Sequence, residues 1–308
     1  MSVNIADVGL SAIGEIKVYG SSAHESIKKA MSVAGIGRNN FVEIKNLKDT
    51  DILDAFDLED KIKNDQKSQK IVVATIGKIN TGEFDNLEQI YQICKKHNIW
   101  LHVDGAFGLF ARLSDKHKKY TAFIGKADSI SSDMHKWLNT PYDCGIFFTR
   151  HPQLLKQTCH SQAFYMGQGN MPDGSEFYMN MGLENSRRFR ALPVMFSLLS
   201  YGEKGIKDIV IRNCQLAEKL GEWIKSCPDY QLLYEVKLNI VLFKPKNLNN
   251  DETIKLIAKI NSGQKMSVSK TMLGSDIAIR IAVSNFSSSI DDFEECVAIL
   301  KMSISSQD

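Results

Sequence analysis

The sequence predicts an α/β fold in two parts: a large domain on a mostly parallel sheet, then a smaller α+β domain. Residues 70–76 (KIVVATI) and 99–103 (IWLHV) are apolar runs, typical of strands buried on both faces of a parallel sheet. Residues 86–96 between them have helical periodicity, which predicts a βαβ unit with a right-handed crossover. After about residue 185, helices alternate with short strands, as in α+β domains. We therefore predict domains at 1–185 and 186–308.

The remaining elements follow from the same apolar patterns. Ser22 is the predicted N-cap of a helix over 23–34, and the segment 49–69 is predicted to contain a crossover helix. Residues 152–184 show little periodicity, which predicts a long loop. The other predicted strands are 15–19, 41–44, 127–131, 145–149 (parallel or antiparallel), 231–235, 239–243, 266–272 and 277–283. The other predicted helices are 186–201, 205–225, 252–260 and 291–302.

Composition and charge are those of an ordinary soluble protein. The formal net charge of +2 gives no reason to expect nucleic acid or an anionic membrane as a partner. No apolar run approaches the ~18 residues of a membrane span. The six cysteines include no CxxC pair, which argues against a zinc site and fits a reducing cytosol. We therefore expect a cytoplasmic protein without a metal site.

Asp104 and Lys136 are the two residues around which a site can be built. Asp104 directly follows the strand at 99–103, and Lys136 follows the strand at 127–131. Ligands of open parallel sheets bind at the carboxyl ends of the strands, so these side chains are expected to share a site. Chemistry with pyridoxal 5'-phosphate (PLP) needs a carboxylate that keeps the pyridine nitrogen protonated and an amine that forms a Schiff base. Taken alone, Asp104 can also be a helix cap and Lys136 a surface lysine.

Three further side chains each have two interpretations. His24 is either a capping group or a ring that stacks flat on an aromatic cofactor. His135 either binds phosphate or orders its turn. Arg280 either binds an α-carboxylate or, as we expect, reaches an acid of the large domain. Apolar neighbours of Lys136, such as Trp137, predict an apolar frame in which its amine is nucleophilic.

Four stretches resemble the group II PLP-dependent decarboxylases, the family of aromatic amino acid, histidine and glutamate decarboxylases. They are VYGSSAHESIKKAMSVAGIG, VVATIGKINTGEFDNLEQIYQICKKHNIWLHVDGAFG, ADSISSDMHKWLNTPYDCG and SRRFRAL. The combination of HVD, HKW and PYDCG makes the similarity specific, and it covers the chain from about residue 8 onward. It implies the aspartate aminotransferase fold (fold type I), PLP as cofactor, an amino acid as substrate, and a homodimer.

The resemblance also implies roles for individual residues. His24 would stack on the pyridine ring, and Ala106 would pack against the opposite face. Asp104 would pair with the ring nitrogen. Lys136 would form the Schiff base. Tyr165, in QAFYMG, would protonate the product carbanion, although packing within its loop is an equally good interpretation.

Two positions near the motif differ from the family. His135 would contact the phosphate or the substrate carboxylate, but Asp133 stands two residues earlier, where the family often has Asn or Ser. An acid near a phosphate is unfavourable unless it orients His135 or accepts a backbone N–H. The usual Gly-Thr-Thr is replaced by Gly77-Lys78-Ile79, so that Ile79 stands where a hydroxyl would be.

Only 23 residues precede His24. In the family a much longer segment holds the helix N-terminus that cradles the phosphate, part of the substrate pocket and a dimerisation segment. We therefore expect a fragment, a truncated gene product or half of a split enzyme.

The leading hypothesis is decarboxylation of an L-amino acid, with a Schiff base through Lys136 and protonation of Cα by Tyr165 or a water that it positions. The alternatives are transamination or Cα–Cβ lysis on the same fold, and an inactive remnant.

Overall fold

Two sheets organise the residues that the computed structural model describes, which are 4–160 and 178–305. The strands of the first sheet are β1 (Ile16–Gly20), β2 (Phe41–Glu43), β3 (Gln69–Thr75), β4 (Trp100–Asp104), β5 (Ser129–Asp133) and β6 (Gly145–Thr149). They lie in the order β2-β1-β3-β4-β5-β6, and every neighbouring pair is parallel except β5 and β6. The predicted mostly parallel sheet is confirmed, and its edge strand β6 is antiparallel.

The described part of the first half contains five α-helices, of which the second, third and fourth connect strands of this sheet. They are α1 (Ile5–Val8), α2 (Glu25–Val33), α3 (Ala55–Asn64), α4 (Leu87–His97) and α5 (Pro152–Cys159). Local sequence accounts for α4 well. The Asn86 side chain caps it by accepting the Gln89 N–H at 3.2 Å, its apolar face is buried, and Asn98 ends it in the left-handed conformation.

Two sequence-based predictions in this half were wrong. The helix α2 begins at Glu25 and is capped by His24, whereas Ser22 was the predicted N-cap. Residues 152–159 form α5 inside the predicted loop, because Pro152 fits the first turn of a helix, where its missing N–H costs nothing. Residues 161–177 of the predicted loop lie outside the described residues.

The second half is the predicted α+β arrangement. Its elements are α6 (Ala191–Ser226), β7 (Tyr230–Leu232), β8 (Ile240–Pro245), α7 (Asn250–Ser262), β9 (Ser269–Leu273), β10 (Asp276–Ala282) and α8 (Ile290–Ser305). The four strands form an antiparallel sheet in the order β7-β8-β10-β9. The two helices predicted at 186–201 and 205–225 are joined in α6, which kinks at Gly202 with a φ of 61° that favours glycine.

Each sheet packs on its own apolar core. The first core contains β3, β4 and the inner faces of α3 and α4, together with Ile206, Ile209 and Val210 of α6. The second core begins at Ala217 of the same helix and includes β8 and β10. Because α6 contributes to both cores, a domain boundary at residue 185 stays a prediction. Among the described residues, no helix is both long and apolar enough to cross a bilayer.

Candidate active site

A cleft of about 680 Å³ lies at the carboxyl ends of the parallel strands. Residues from the loops after β1, β3, β4 and β5 line it, and so do Arg280 and Ala282 of β10. Six of the seven predicted site residues line this one cleft: His24, Asp104, Ala106, Asp133, His135 and Lys136. The seventh, Tyr165, lies outside the described residues.

Asp104 ends β4 between two neighbouring strands. It pairs in register with Thr75 of β3 and Ser131 of β5, and its residue is only 9% exposed. Its Oδ1 accepts the backbone N–H of Ala106 at 3.1 Å. No hydrogen bond to its other oxygen is found among the described residues, so Oδ2 can receive a proton donor of a ligand.

Lys136 lies in the turn after β5, with its amine directed to a carboxylate. Its Nζ is 2.7 Å from Asp133 Oδ2 and 4.7 Å from the centroid of the Phe107 ring. Trp137 and Leu138 are buried in the core and fix the turn. The surroundings of the Lys136 amine are thus apolar where the Phe107 ring lies and ionic where Asp133 lies, whereas only the apolar part was predicted.

Asp133 and His135 form a pair beside this amine. Asp133 Oδ2 lies 3.9 Å from His135 Nε2, and the ring of Tyr142 stacks on the His135 ring with centroids 4.2 Å apart. His135 Nδ1 lies 3.1 Å from both the backbone N–H and the backbone carbonyl of Cys144, so it has a partner there as acceptor or as donor. An acid at position 133 is thus accommodated by the Lys136 amine and by His135.

His24 caps α2, which confirms its capping interpretation, while stacking on a cofactor stays a prediction. Its Nδ1 caps α2 by accepting the Ser26 N–H at 3.2 Å, and it also lies 2.7 Å from Ser26 Oγ. The same ring lines the cleft. The turn that carries it contains Ser22, whose φ of 44° is left-handed and whose N–H donates to Glu43 Oε1 at 2.9 Å.

Arg280 crosses from the second half of the chain to the first. Its Nε donates to the backbone carbonyl of Ile79, so the predicted acidic acceptor was wrong. Burial lowers the pKa of Arg280, and no carboxylate among the described residues pairs with it. Its remaining N–H groups are available to an anionic ligand in the cleft.

Behind Asp104, His102 points from the same face of β4. It is held between Ser129 Oγ at 2.8 Å and Ser131 Oγ at 3.2 Å. Burial lowers the pKa of His102, although Asp104 opposes this effect. The lowered pKa favours the neutral ring of His102 behind the carboxylate.

Some residues of the cleft were missed by sequence reasoning. Phe107 lies under the Lys136 amine, and Tyr142 stacks on His135. Both aromatic residues stand inside the stretches DGAF and PYDCG, whose apolar character next to a motif was the only available signal.

A strand-end acid and a lysine that share one cleft on a mostly parallel sheet define the fold type I class of PLP-dependent enzymes. The chain belongs to the pyridoxal-dependent decarboxylase family, which is part of this class. The family's sequence model, described as the pyridoxal-dependent decarboxylase conserved domain, matches residues 9–246. The family predicted from the sequence is thereby confirmed.

Individual relatives agree with this assignment. The aromatic-L-amino-acid decarboxylase of Bacillus atrophaeus is 30% identical over 278 residues, covering 87% of this chain and 58% of the relative. The histidine decarboxylase of Drosophila melanogaster is 29% identical over 274 residues, covering 88% of this chain and 32% of the relative. The crystal structure of Catharanthus roseus tryptophan decarboxylase in complex with L-tryptophan has a TM-score of 0.86 at 23% identity, covering 98% of this chain and 65% of that chain, which confirms the fold. The chain thus spans less than two thirds of the length of these proteins.

The residues of the cleft fit PLP, the cofactor of this family. Asp104 offers an oxygen with no hydrogen-bond donor among the described residues, which suits a protonated ring nitrogen. Ala106 is small enough for a flat ring to approach, and the Lys136 amine lines the same space. The donor set therefore matches both the ring and the aldehyde of the cofactor.

Proposed function

We propose that the chain is the catalytic part of a PLP-dependent decarboxylase that releases CO2 from an L-amino acid. One observation carries the proposal: Asp104 and Lys136 line the same cleft at adjacent strand ends. When bound, PLP supplies the electron sink for the electrons left on Cα. The family and the names of its members support this reaction in preference to others on the same fold.

We assign the cofactor-holding roles to residues that surround the cleft. The Lys136 amine is the covalent attachment point, and Asp133 Oδ2, 2.7 Å away, can take the proton that the amine must lose. Asp104 Oδ2 holds the proton at the ring nitrogen. His24 covers one ring face and Ala106 the other. His135, which lines the cleft, is the proposed contact of the phosphate or the substrate carboxylate.

Tyr165 is the proposed donor of the proton to Cα, on the strength of its position after the lysine in the sequence. Arg280 is the proposed partner of the substrate carboxylate, supported by its place in the cleft and by the lack of a carboxylate partner among the described residues. The same arginine favours transamination as the second candidate, because a transaminase keeps the carboxylate that a decarboxylase releases.

The substrate and assembly are proposed from the relatives and the surface. The relatives named above act, by their names, on aromatic L-amino acids and histidine, so these are the first substrates to test. We propose a homodimer, supported by the exposed apolar side chains Phe189 (68%), Phe196 (57%) and Leu199 (72%) in and before α6. A cytoplasmic location fits six cysteines that are all free thiols.

The test uses the purified chain with PLP and L-amino acids. We expect a visible Schiff-base absorption band, release of CO2 and formation of the matching amine. Lys136→Ala should abolish the band and the CO2 release, whereas Lys118→Ala, which changes an exposed lysine, should change neither. A band that survives Lys136→Ala contradicts the lysine assignment, and a keto acid product in place of CO2 shows transamination.

A further inference from the structure

Lys78 is a buried lysine near the cleft, and no motif assigns it a role. It follows Gly77 in a tight loop after β3, which is closed by hydrogen bonds from the N–H groups of Gly77 and Lys78 to the Glu83 carbonyl, both 2.9 Å. Only 1% of the residue is exposed. A lysine ammonium is almost never buried without partners, so its contacts identify what it does.

Three acceptors surround the Lys78 ammonium. It donates to the backbone carbonyl of Ser21 at 2.7 Å, to Ser21 Oγ at 2.9 Å, and it lies 3.2 Å from Asp85 Oδ1. The three N–H donors of the amine therefore have three acceptors, and two of these belong to the residue that directly follows β1. The ammonium links the end of β1 to the loop after β3.

The carboxylate partner extends this link to the floor of the cleft. Asp85 is fully buried, and its oxygens also accept the backbone N–H of Thr75 at 2.7 Å and of Leu53 at 2.8 Å. Thr75 lines the cleft and pairs in register with Asp104. Burial raises the pKa of the Asp85 carboxyl, and Lys78 is the strongest of the groups that oppose this rise.

Ser21 begins the turn that carries His24 into the cleft. Ser22 adopts its left-handed φ of 44° directly after the residue that Lys78 holds, and His24 follows two positions later. The other contacts of this turn, from Asn46 to Ser22 Oγ and from Ser22 to Glu43, are exposed to solvent. The contact between Lys78 and Ser21 is buried, so water competes with it less than with these two exposed contacts.

We propose that Lys78 is a positioning residue, which fixes the turn of residues 21–24 against the end of β3 and so sets the place of His24 relative to Asp104. The proposal rests on the proposed function only in that His24 then covers one face of a bound PLP ring while Asp104 contacts the ring nitrogen. The effect of Lys78 on the order of this turn does not depend on PLP, so it can be measured in the cofactor-free chain.

The first measurement is amide hydrogen exchange of the cofactor-free protein. The amide of Ser22 donates to Glu43 Oε1, and the amides of Ser26 and Ile27 donate to His24. Lys78→Met keeps an unbranched side chain of similar size but removes its charge and its donors, and we expect exchange at these amides to become at least about tenfold faster. Lys70→Met is the matched control, because Lys70 lies at the opposite end of β3, is largely buried, and donates to the Ser68 carbonyl at 2.8 Å. It should leave the exchange at 22–27 unchanged.

The second measurement is the equilibrium affinity for PLP. We expect Lys78→Met to weaken it about 10- to 100-fold, as when hydrogen-bond partners behind metal ligands are removed. If Lys78→Met does not fold, Ser21→Ala decides the matter, because it removes a single hydroxyl acceptor and leaves Lys78 its other two partners. It should weaken PLP binding about 3- to 10-fold, the equivalent of one hydrogen bond.

The proposal is overturned if Lys78→Met and Ser21→Ala leave both the amide exchange of residues 22–27 and the affinity for PLP unchanged. This holds even if the unfolding temperature of the variants falls. A wild-type chain that binds PLP but releases no CO2 sinks the proposed function and leaves the positioning role intact. A wild-type chain that binds no PLP still tests Lys78 through the exchange measurement.

Discussion

The two oxygens of the Asp104 carboxylate have different roles. Its Oδ1 accepts the Ala106 N–H, and its Oδ2 has no hydrogen-bond donor among the described residues. Asp104→Asn keeps the shape and an acceptor for Ala106, but it removes the negative charge that holds a proton at the ring nitrogen. We expect kcat for CO2 release to fall roughly 10²- to 10³-fold, the usual effect of losing one preorganised electrostatic partner.

The fall in kcat should exceed any loss of PLP affinity, because the charge acts on the reacting ring more than on binding. Both quantities are measured by steady-state CO2 release and by titration with PLP. Asp208→Asn, at an exposed position of α6, is the control. A wild-type kcat in Asp104→Asn would remove this residue from the chemistry.

At the scale of elements, Asp65 joins α3 to the first sheet at the edge away from the cleft. It receives hydrogen bonds from Tyr19 Oη of β1 at 2.8 Å and from Ser68 Oγ at 2.5 Å, and Lys17 Nζ lies 3.3 Å away. Burial alone would raise the pKa of the Asp65 carboxyl, but the hydrogen bonds from Ser68 and Tyr19 outweigh burial and hold the pKa far below its usual range.

A lowered pKa in the folded state means that Asp65 stabilises the fold above the unfolded pKa of about 3.9 and loses this contribution as the pH falls. Asp65→Asn should therefore lower the free energy of unfolding near neutral pH by about 1–3 kcal/mol, the range for charge-assisted hydrogen bonds. The difference from wild type should shrink below about pH 4. Urea unfolding at several pH values measures this. Asp60→Asn on the same helix, with one exposed contact to Asn64, should show little change.

The elements of the fold differ in how well they could be predicted from the sequence. The strands β3 and β4 were predictable because their apolar runs are continuous. The helix α4 was predictable because its N-cap residue and its apolar face are both set by residues close together in the sequence. The family motif placed Asp104 and Lys136 in one cleft. The pairing of Lys136 with Asp133 and the Lys78 anchor were not predictable, because they depend on how turns bring together side chains from different loops.

At the scale of the whole molecule, the cleft depends on both halves of the chain. The helix α6 packs in both cores, and Arg280 on β10 donates to the Ile79 carbonyl after β3. The C-terminal half thus supplies a cation to a cleft whose other predicted site residues come from the N-terminal half. Binding of an amino acid carboxylate is therefore expected to require the two halves in contact.

Arg280→Gln tests this dependence. The amide keeps a donor for the Ile79 carbonyl but loses the charge, so we expect the KM for the amino acid to rise about 10- to 100-fold, the equivalent of one charge-assisted hydrogen bond. The affinity for PLP should stay close to wild type, because the proposed contacts of the ring come from other residues. Arg212→Gln is the control, since Arg212 also donates to a backbone carbonyl, that of Phe286, and does not line the cleft. An unchanged KM in Arg280→Gln would place the carboxylate elsewhere in the cleft, and an equal loss of PLP affinity would assign Arg280 to the cofactor.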